Sequence, residues 1–350
     1  MKKLISVALC LMMLCSIGSA FAATIGVAMP TQSLQRWNQD GANMKEKLEA
    51  AGYTVDLQYA DNDVAKQVSQ LENMIANAVD VLVVASIDGG ALGTVLADAK
   101  AANIPVIAYD RLIMQSDAIS YYATFDNYMV GSIQGKYVEE KLGLAGGAGP
   151  FNIEFVGGAP DDNNARFFFQ GAFDVLKPYI DKGQLVVPSG QTEFEAVATP
   201  SWSTEKAQQR MDNLVSAHYT GDTHLDAVVC SNDSTANGAT NALLNVYEPG
   251  EKWPIITGQD CDIVSVKNML AGTQSMSVFK DTRTLAAKVV DMVNAIVQKK
   301  EVEVNDTKTY DNGTGIIPTY LVEPVFADKD NLNELLIDSG YYTKEALGIQ

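Results

Sequence analysis

IPVIAYDR, residues 104–111, is a short, mostly apolar run that ends in an acid beside a base, Asp110 and Arg111. Its length and β-branched character suit a buried strand, since a helix needs a longer segment to show its period. Similar runs recur at TIGVAM (24–29), YTVDLQYA (53–60), VDVLVVAS (79–86), NIEFVGG (152–158), LDAVVC (225–230), PIITG (254–258) and SMSVF (275–279). Between them lie amphipathic segments. Val64, Val68, Leu71 and Ile75 form one apolar stripe, and Leu285, Val289, Met292 and Ile296 another, at helical spacing. Strands that are apolar nearly throughout and separated by helices predict parallel sheets covered on both faces and joined by right-handed crossovers. The fold class is therefore α/β and doubly wound. Eight such strands exceed one sheet of ordinary size, and the Gly-rich LGLAGGAGP (142–150) marks a turn before a second βα series. Two similar lobes are the expectation.

In open parallel sheets the crevice for a ligand lies outside the carboxyl ends of the strands. Four runs end there in an acid: VLVVASID at Asp88, IPVIAYD at Asp110, AVVCSND at Asp233 and PIITGQD at Asp260. Asp and Asn at such places also cap the following helix, and for Asp88 and Asp233 that reading stands beside the ligand one. Capping does not explain the base that follows Asp110. A carboxylate and a guanidinium at a crevice supply acceptors and five donors in fixed directions, which suits a polyhydroxylated ligand; a structural ion pair is the alternative. Arg36-Trp37 follows the first strand, Asp161-Asp162-Asn163-Asn164 the fifth, and Trp202 sits in a loop before a helical pattern. Flat aromatic faces beside charged hydrogen-bonding groups match a sugar, which has a C–H face bordered by hydroxyls. Lone tryptophans are more often core, and Trp253, beside Pro254 at a strand start, is assigned to packing.

Residues 1–22 have the layout of an export signal, with Lys2 and Lys3, the apolar run LISVALCLMMLCSIG, and Ala20-Phe21-Ala22 as a cleavage site. The mature chain is expected to begin at Ala23. Neither Cys10 nor Cys15 is preceded by the small residues of a lipoprotein signal, so a freely diffusing protein of a Gram-negative periplasm is expected. After cleavage 23 basic residues face 43 acidic ones, a balance that argues against nucleic acid and anionic membranes as partners. Cys230 and Cys261 then remain, each at an apolar strand end; two buried thiols fit better than a bridge. His218 and His224 are not at metal-ligand spacing, and no G-x-x-x-x-G-K-[ST] occurs, so neither metal nor cofactor is expected.

The stretches GVAMPTQSLQRWNQDG, DVLVVASIDG, IPVIAYDRLI, YYATFDN, PDDNNARFFFQGAFDVLKPYI, SND, GQD and TQSMSVFKDTR resemble the type I periplasmic sugar-binding proteins of ABC importers. Within these the chain is most similar to the ChvE-type multiple-sugar receptors, then to D-xylose-binding proteins. The similarity runs from about residue 24 to the end and includes the tail motifs NDTKTYDNG and SGYYTKEAL. It implies two Rossmann-like lobes joined by a three-strand hinge, closing like a Venus flytrap on a monosaccharide and delivering it to a membrane permease. The expected division is residues 23–124 with 281–311 in the N-lobe, and 125–280 with 312–350 in the C-lobe. The implied ligand set is Arg36, Asp110 and Arg111 from the N-lobe, with Asn164, Trp202, Asn232, Asp260 and Lys280 completing it. SND at 231–233 follows the xylose-binding pattern, which leaves the particular aldose open among xylose, glucose, galactose and arabinose.

The resemblance implies a monomeric binding protein and no enzyme. A sensor role, docking on a chemoreceptor or sensor kinase, is the alternative, because one closed form can serve both partners. A secreted glycoside hydrolase would also need paired carboxylates, and Asp110 with Asp260 is the pair it would have to use. If Trp202 lines the site, its truncation is expected to lower affinity with little loss of stability.

Overall fold

The computed structural model describes residues 22–250 and 252–349. The expected export signal lies, apart from Ala22, outside the described residues. The chain first forms β1 (Thr24–Met29), α1 (Gln35–Ala50), β2 (Thr54–Tyr59), α2 (Val64–Ala76), β3 (Val81–Val84), α3 (Gly93–Ala101), β4 (Val106–Tyr109) and β5 (Ile119–Phe125). It then crosses into a second series: α4 (Asn127–Lys141), β6 (Phe151–Val156), α5 (Asn163–Asp181), β7 (Leu185–Val186), α6 (Thr204–His218), β8 (Ala227–Cys230), α7 (Asp233–Leu243), β9 (Ile255–Ile256), α8 (Ile263–Ala271) and β10 (Met276–Phe279). Two further crossings follow. Helix α9 (Thr282–Val297) and β11 (Thr319–Val322) return to the first lobe, and β12 (Val325–Asp328) goes back to the second.

The N-lobe sheet has the order β2-β1-β3-β4-β5-β11 with all neighbours parallel. The C-lobe sheet begins β7-β6-β8-β9. Ser275 N–H donates to the Ile256 carbonyl and Val278 N–H to that of Gly258, both at 2.9 Å, and these bonds carry the sheet on to β10. Strand β10 pairs with β12, antiparallel. The two lobes thus repeat one strand order and differ at the last strand.

Side-chain alternation explains why the strands are apolar throughout. Ile25, Val27, Met29, Val83, Ile107 and Tyr109 pack with α1 and α9, while Ala28, Leu82, Val84, Val106 and Ala108 pack with α2 and α3 on the other face. In the C-lobe Ile153, Phe155 and Val229 face one core, and Val156, Val228 and Cys230 another. Of the expected helical stripes, Leu285, Val289 and Met292 are buried on α9; on α2 the buried face is rotated to Gln67, Leu71 and Met74. Helices α4 and α5 approach so closely that a Cβ on Gly131 would lie 1.9 Å from the Phe168 carbonyl oxygen. That contact fixes the N-terminal end of α5 at the cleft.

One expected boundary is corrected. Residues 312–322 belong with the N-lobe, because β11 pairs with β5, and the Asn312 amide donates to the carbonyls of Ile113 (3.0 Å) and Ser116 (2.8 Å). The third crossing therefore falls between β11 and β12. Strands β5, β7, β11 and β12 lie outside the expected set. Cys230 and Cys261 are both free and buried.

Candidate functional site

Strand β4 ends in a tight turn about Asp110, whose φ of 59° is in the left-handed region. Arg111 N–H donates back to the Tyr109 carbonyl at 2.6 Å across this turn. Such a backbone costs on the order of 1–3 kcal/mol for a residue other than glycine. It is held by three donors on the Asp110 carbonyl oxygen: the Tyr122 hydroxyl (2.6 Å), the Thr124 hydroxyl (2.9 Å) and the Asn164 amide (2.6 Å). Tyr122 and Thr124 come from β5 and Asn164 from α5 of the other lobe, so the turn is braced from both sides of the cleft.

The turn sends the two charges apart. Asp110 Oδ1 lies 2.5 Å from Arg36 Nη2 and 3.9 Å from Lys280 Nζ, whereas Arg111 Nε lies 3.0 Å from Asp162 Oδ2 in the C-lobe. Arg111 also donates to the carbonyls of Ser86 (3.0 Å) and Ile87 (3.2 Å). The strand thus ends in opposite charges because each serves a different partner.

Asp260 completes a chain of alternating charge. Its Oδ1 is 3.0 Å from Lys280 Nζ and 3.6 Å from Arg36 Nη1, and its own φ is 98°. Arg36 further donates to Asp40 at 2.8 Å, and Asp40 accepts the Tyr109 hydroxyl. Burial pushes the Asp110 carboxyl up, but Arg36 and then Lys280 outweigh it and hold the group below its ordinary value. Asp162 is raised, chiefly by burial, with Arg111 opposing. Asp262, two residues beyond Asp260, is pushed to about 7 by burial and by the Asp260 charge.

Aromatic rings line the same space. The Trp37 ring has the Arg36 guanidinium 4.8 Å and the Arg111 guanidinium 5.0 Å from its centroid. Trp202 sits on a turn with φ of 59° at Ser201 and 55° at Trp202, donates its indole N–H to Asp162 at 3.2 Å, and lies 6.2 Å from the Phe168 ring. It is only 5% exposed, and a Cβ on Gly158 would stand 2.0 Å from its ring.

All eight residues singled out in the sequence, Arg36, Asp110, Arg111, Asn164, Trp202, Asn232, Asp260 and Lys280, line one cleft between the lobes. Its free volume, including the mouth, is about 420 Å³. The structure adds Trp37, Asp162, Phe168, Gln259 and Asp262 to its walls. Gln259 Oε1 and Asp262 Oδ1 are buried there and accept no hydrogen bond among the described residues. Asn232 is also the cap of α7: its Oδ1 accepts Thr235 N–H at 3.0 Å. The capping reading fails for Asp233, which is the first helical residue and instead accepts from Gln274 (3.0 Å), Ser277 (2.8 Å) and Asp262 N–H (2.7 Å). Asp88 accepts Gly90 N–H at 2.8 Å within its own turn.

The family model described as "periplasmic binding protein domain" matches residues 25–301. The chain belongs to the periplasmic binding protein family. Among members of this family, it is 52% identical over 336 residues to the multiple sugar-binding periplasmic receptor ChvE of Rhizobium radiobacter, covering 95% of each chain. It is 36% identical to the D-xylose-binding periplasmic protein of Haemophilus influenzae, over 92% of this chain and 91% of the other. A solved solute-binding protein of an ABC transporter from Clostridium phytofermentans, with bound β-D-glucose, shares 66% identity and superposes with a TM-score of 0.90. That match covers 93% of this chain and 99% of the other.

Proposed function

We propose that the protein is a periplasmic solute-binding protein that captures an aldose monosaccharide between its lobes and delivers it to the permease of an ABC transporter. The observation that carries this reading is the interlobe cleft, where the buried charges of Arg36, Asp110, Asp260 and Lys280 border the rings of Trp37, Phe168 and Trp202. The charged groups supply fixed donors and acceptors for hydroxyls, and the rings cover a C–H face. The named ligands of the relatives, sugars throughout, support the same class.

Hydrogen bonds to charged groups contribute about 1.5–3 kcal/mol each, and micromolar affinity needs about 8 kcal/mol in all. Four or five contacts cover this after ordering costs and leave a surplus. A sugar touching both walls binds the closed form better than the open one, and that difference in affinity drives closure.

A thermal-shift screen with glucose, galactose, arabinose, xylose, ribose and fucose, followed by calorimetry on the responders, tests the reading. A rise in melting temperature with at least one aldose is expected, because a ligand held only by the native state stabilises it. No response to any of them would remove sugar capture.

A further inference from the structure

A second cavity, of about 370 Å³ including its mouth, adjoins the first between the lobes. Its walls include Leu34, Asn62 and Arg111 from the N-lobe and Asp161, Ser201 and Trp202 from the C-lobe. Leu34, Arg111 and Trp202 line both cavities, so these three side chains form the partition between them. Asp161 and Asn62 belong to the second cavity and not to the first.

Three features mark this space as built for a ligand. The lobes already touch at its rim, where Gly89 N–H donates to the Asp161 carbonyl at 3.4 Å, so the space persists with the walls in contact. Two strained turns face it from opposite lobes: Asp61 and Asn62 with φ of 56° and 58°, and Ser201 and Trp202 with φ of 59° and 55°. The turns present the exposed Asn62 amide and Ser201 hydroxyl, Asp161 adds an exposed carboxylate, and the buried Trp202 forms part of the wall. That chemistry resembles the first cavity, with hydrogen-bonding groups of both kinds beside one flat ring.

We infer that the second cavity is a subsite for a second glycosyl unit, so that the protein accepts disaccharides as well as monosaccharides. The inference rests on the sugar-binding reading above. One ring occupies the charged cleft, and the glycosidic linkage passes the partition of Leu34, Arg111 and Trp202. The second ring then lies between the turns at Asn62 and Ser201, its hydroxyls within reach of Asp161.

Calorimetry with glucose, cellobiose, maltose and xylobiose, on the wild type and on Asp161→Trp, tests it. The added indole fills the second cavity from an exposed position. At least one disaccharide is expected to bind the wild type; Asp161→Trp should weaken that binding at least about tenfold and leave glucose within about threefold. A co-crystal with the best disaccharide should place the second ring between Asn62, Asp161 and Ser201. Glucose binding without any disaccharide binding would overturn the subsite, as would equal disaccharide affinity in both proteins or a second ring found elsewhere. A wild type that binds none of the six screened aldoses and no disaccharide would defeat the sugar-binding reading itself, whereas binding of any aldose without any disaccharide overturns the subsite alone.

Discussion

Arg111 Nε lies 3.0 Å from Asp162 Oδ2, and the two residues belong to opposite lobes. Together with Arg36 Nη1 at 3.6 Å from Asp260 Oδ1 and Lys280 Nζ at 3.9 Å from Asp110 Oδ1, this gives the closed arrangement three ionic ties across the cleft. A ligand entering an open form would meet these groups without their partners on the other wall.

Arg111→Ala should weaken aldose binding at least about tenfold, because it removes donors to the cleft and leaves Asp162 buried without its cation. Asp110→Ala should do the same by a different route, removing an acceptor from the cleft and the carboxylate 2.5 Å from Arg36 Nη2. Calorimetry on the folded variants decides, and unchanged affinity would exclude the altered residue from the site.

Trp202→Ala should lower both affinity and melting temperature. The sequence alone led to an expectation of little stability loss, but Trp202 packs into the C-lobe core and is bonded to Asp162. Removing a buried tryptophan costs about 3–5 kcal/mol. Gly158→Ala, which forces the indole away from its seat, should weaken binding without removing any group that faces the cleft. Unaltered affinity in Gly158→Ala would show that the ring's position is immaterial.

Stability should fall as pH rises toward neutrality. Asp262 has an ordinary value of 3.8 and is raised to about 7 in the folded protein, so the native state binds this proton more tightly than the unfolded chain does. Its contribution is full below the lower value and is lost as pH climbs through the upper one. Asp233, raised by burial and by Asp262, adds the same sign. Melting temperatures between about pH 5 and pH 8 should therefore decline, and Asp262→Asn should flatten part of that decline. A profile that the substitution does not change would refute the assignment.

Asn312→Ala should destabilise the N-lobe by about 1–3 kcal/mol, since the buried carbonyls of Ile113 and Ser116 lose their donor. Denaturant unfolding measures the loss. A neutral result would mean that this tail segment does not brace the loop after β4.

The α/β fold could be read from the sequence because the parallel strands are apolar on both faces, as Val81–Val84 and Val106–Tyr109 are. Strand β5 escaped because no helix separates it from β4, and β11 and β12 because Glu323-Pro324 interrupts a single run. The same break concealed the return of residues 312–322 to the N-lobe. In the cleft, the strand-end rule reached Asp110 and Asp260, polar and aromatic residues after strands or in loops brought in Arg36, Asn164 and Trp202, and Asn232 and Lys280 came only through resemblance to a family. Asp262 could have been found from its place two residues beyond Asp260. Phe168 could not, since an aromatic residue on α5 looks the same whether it faces the core or the cleft. The partner of Arg111 was also hidden, because nothing in an Asp-Arg dipeptide tells that the turn between them points the side chains apart.

The late return of β11 has a consequence for how the molecule is made. The N-lobe sheet begins at Thr24 and is finished only by Thr319–Val322, so a nascent chain carries an uncovered sheet edge beside β5 until those residues have been made. No contiguous fragment corresponds to either half, and a product truncated before residue 319 would expose that edge to pairing with other chains.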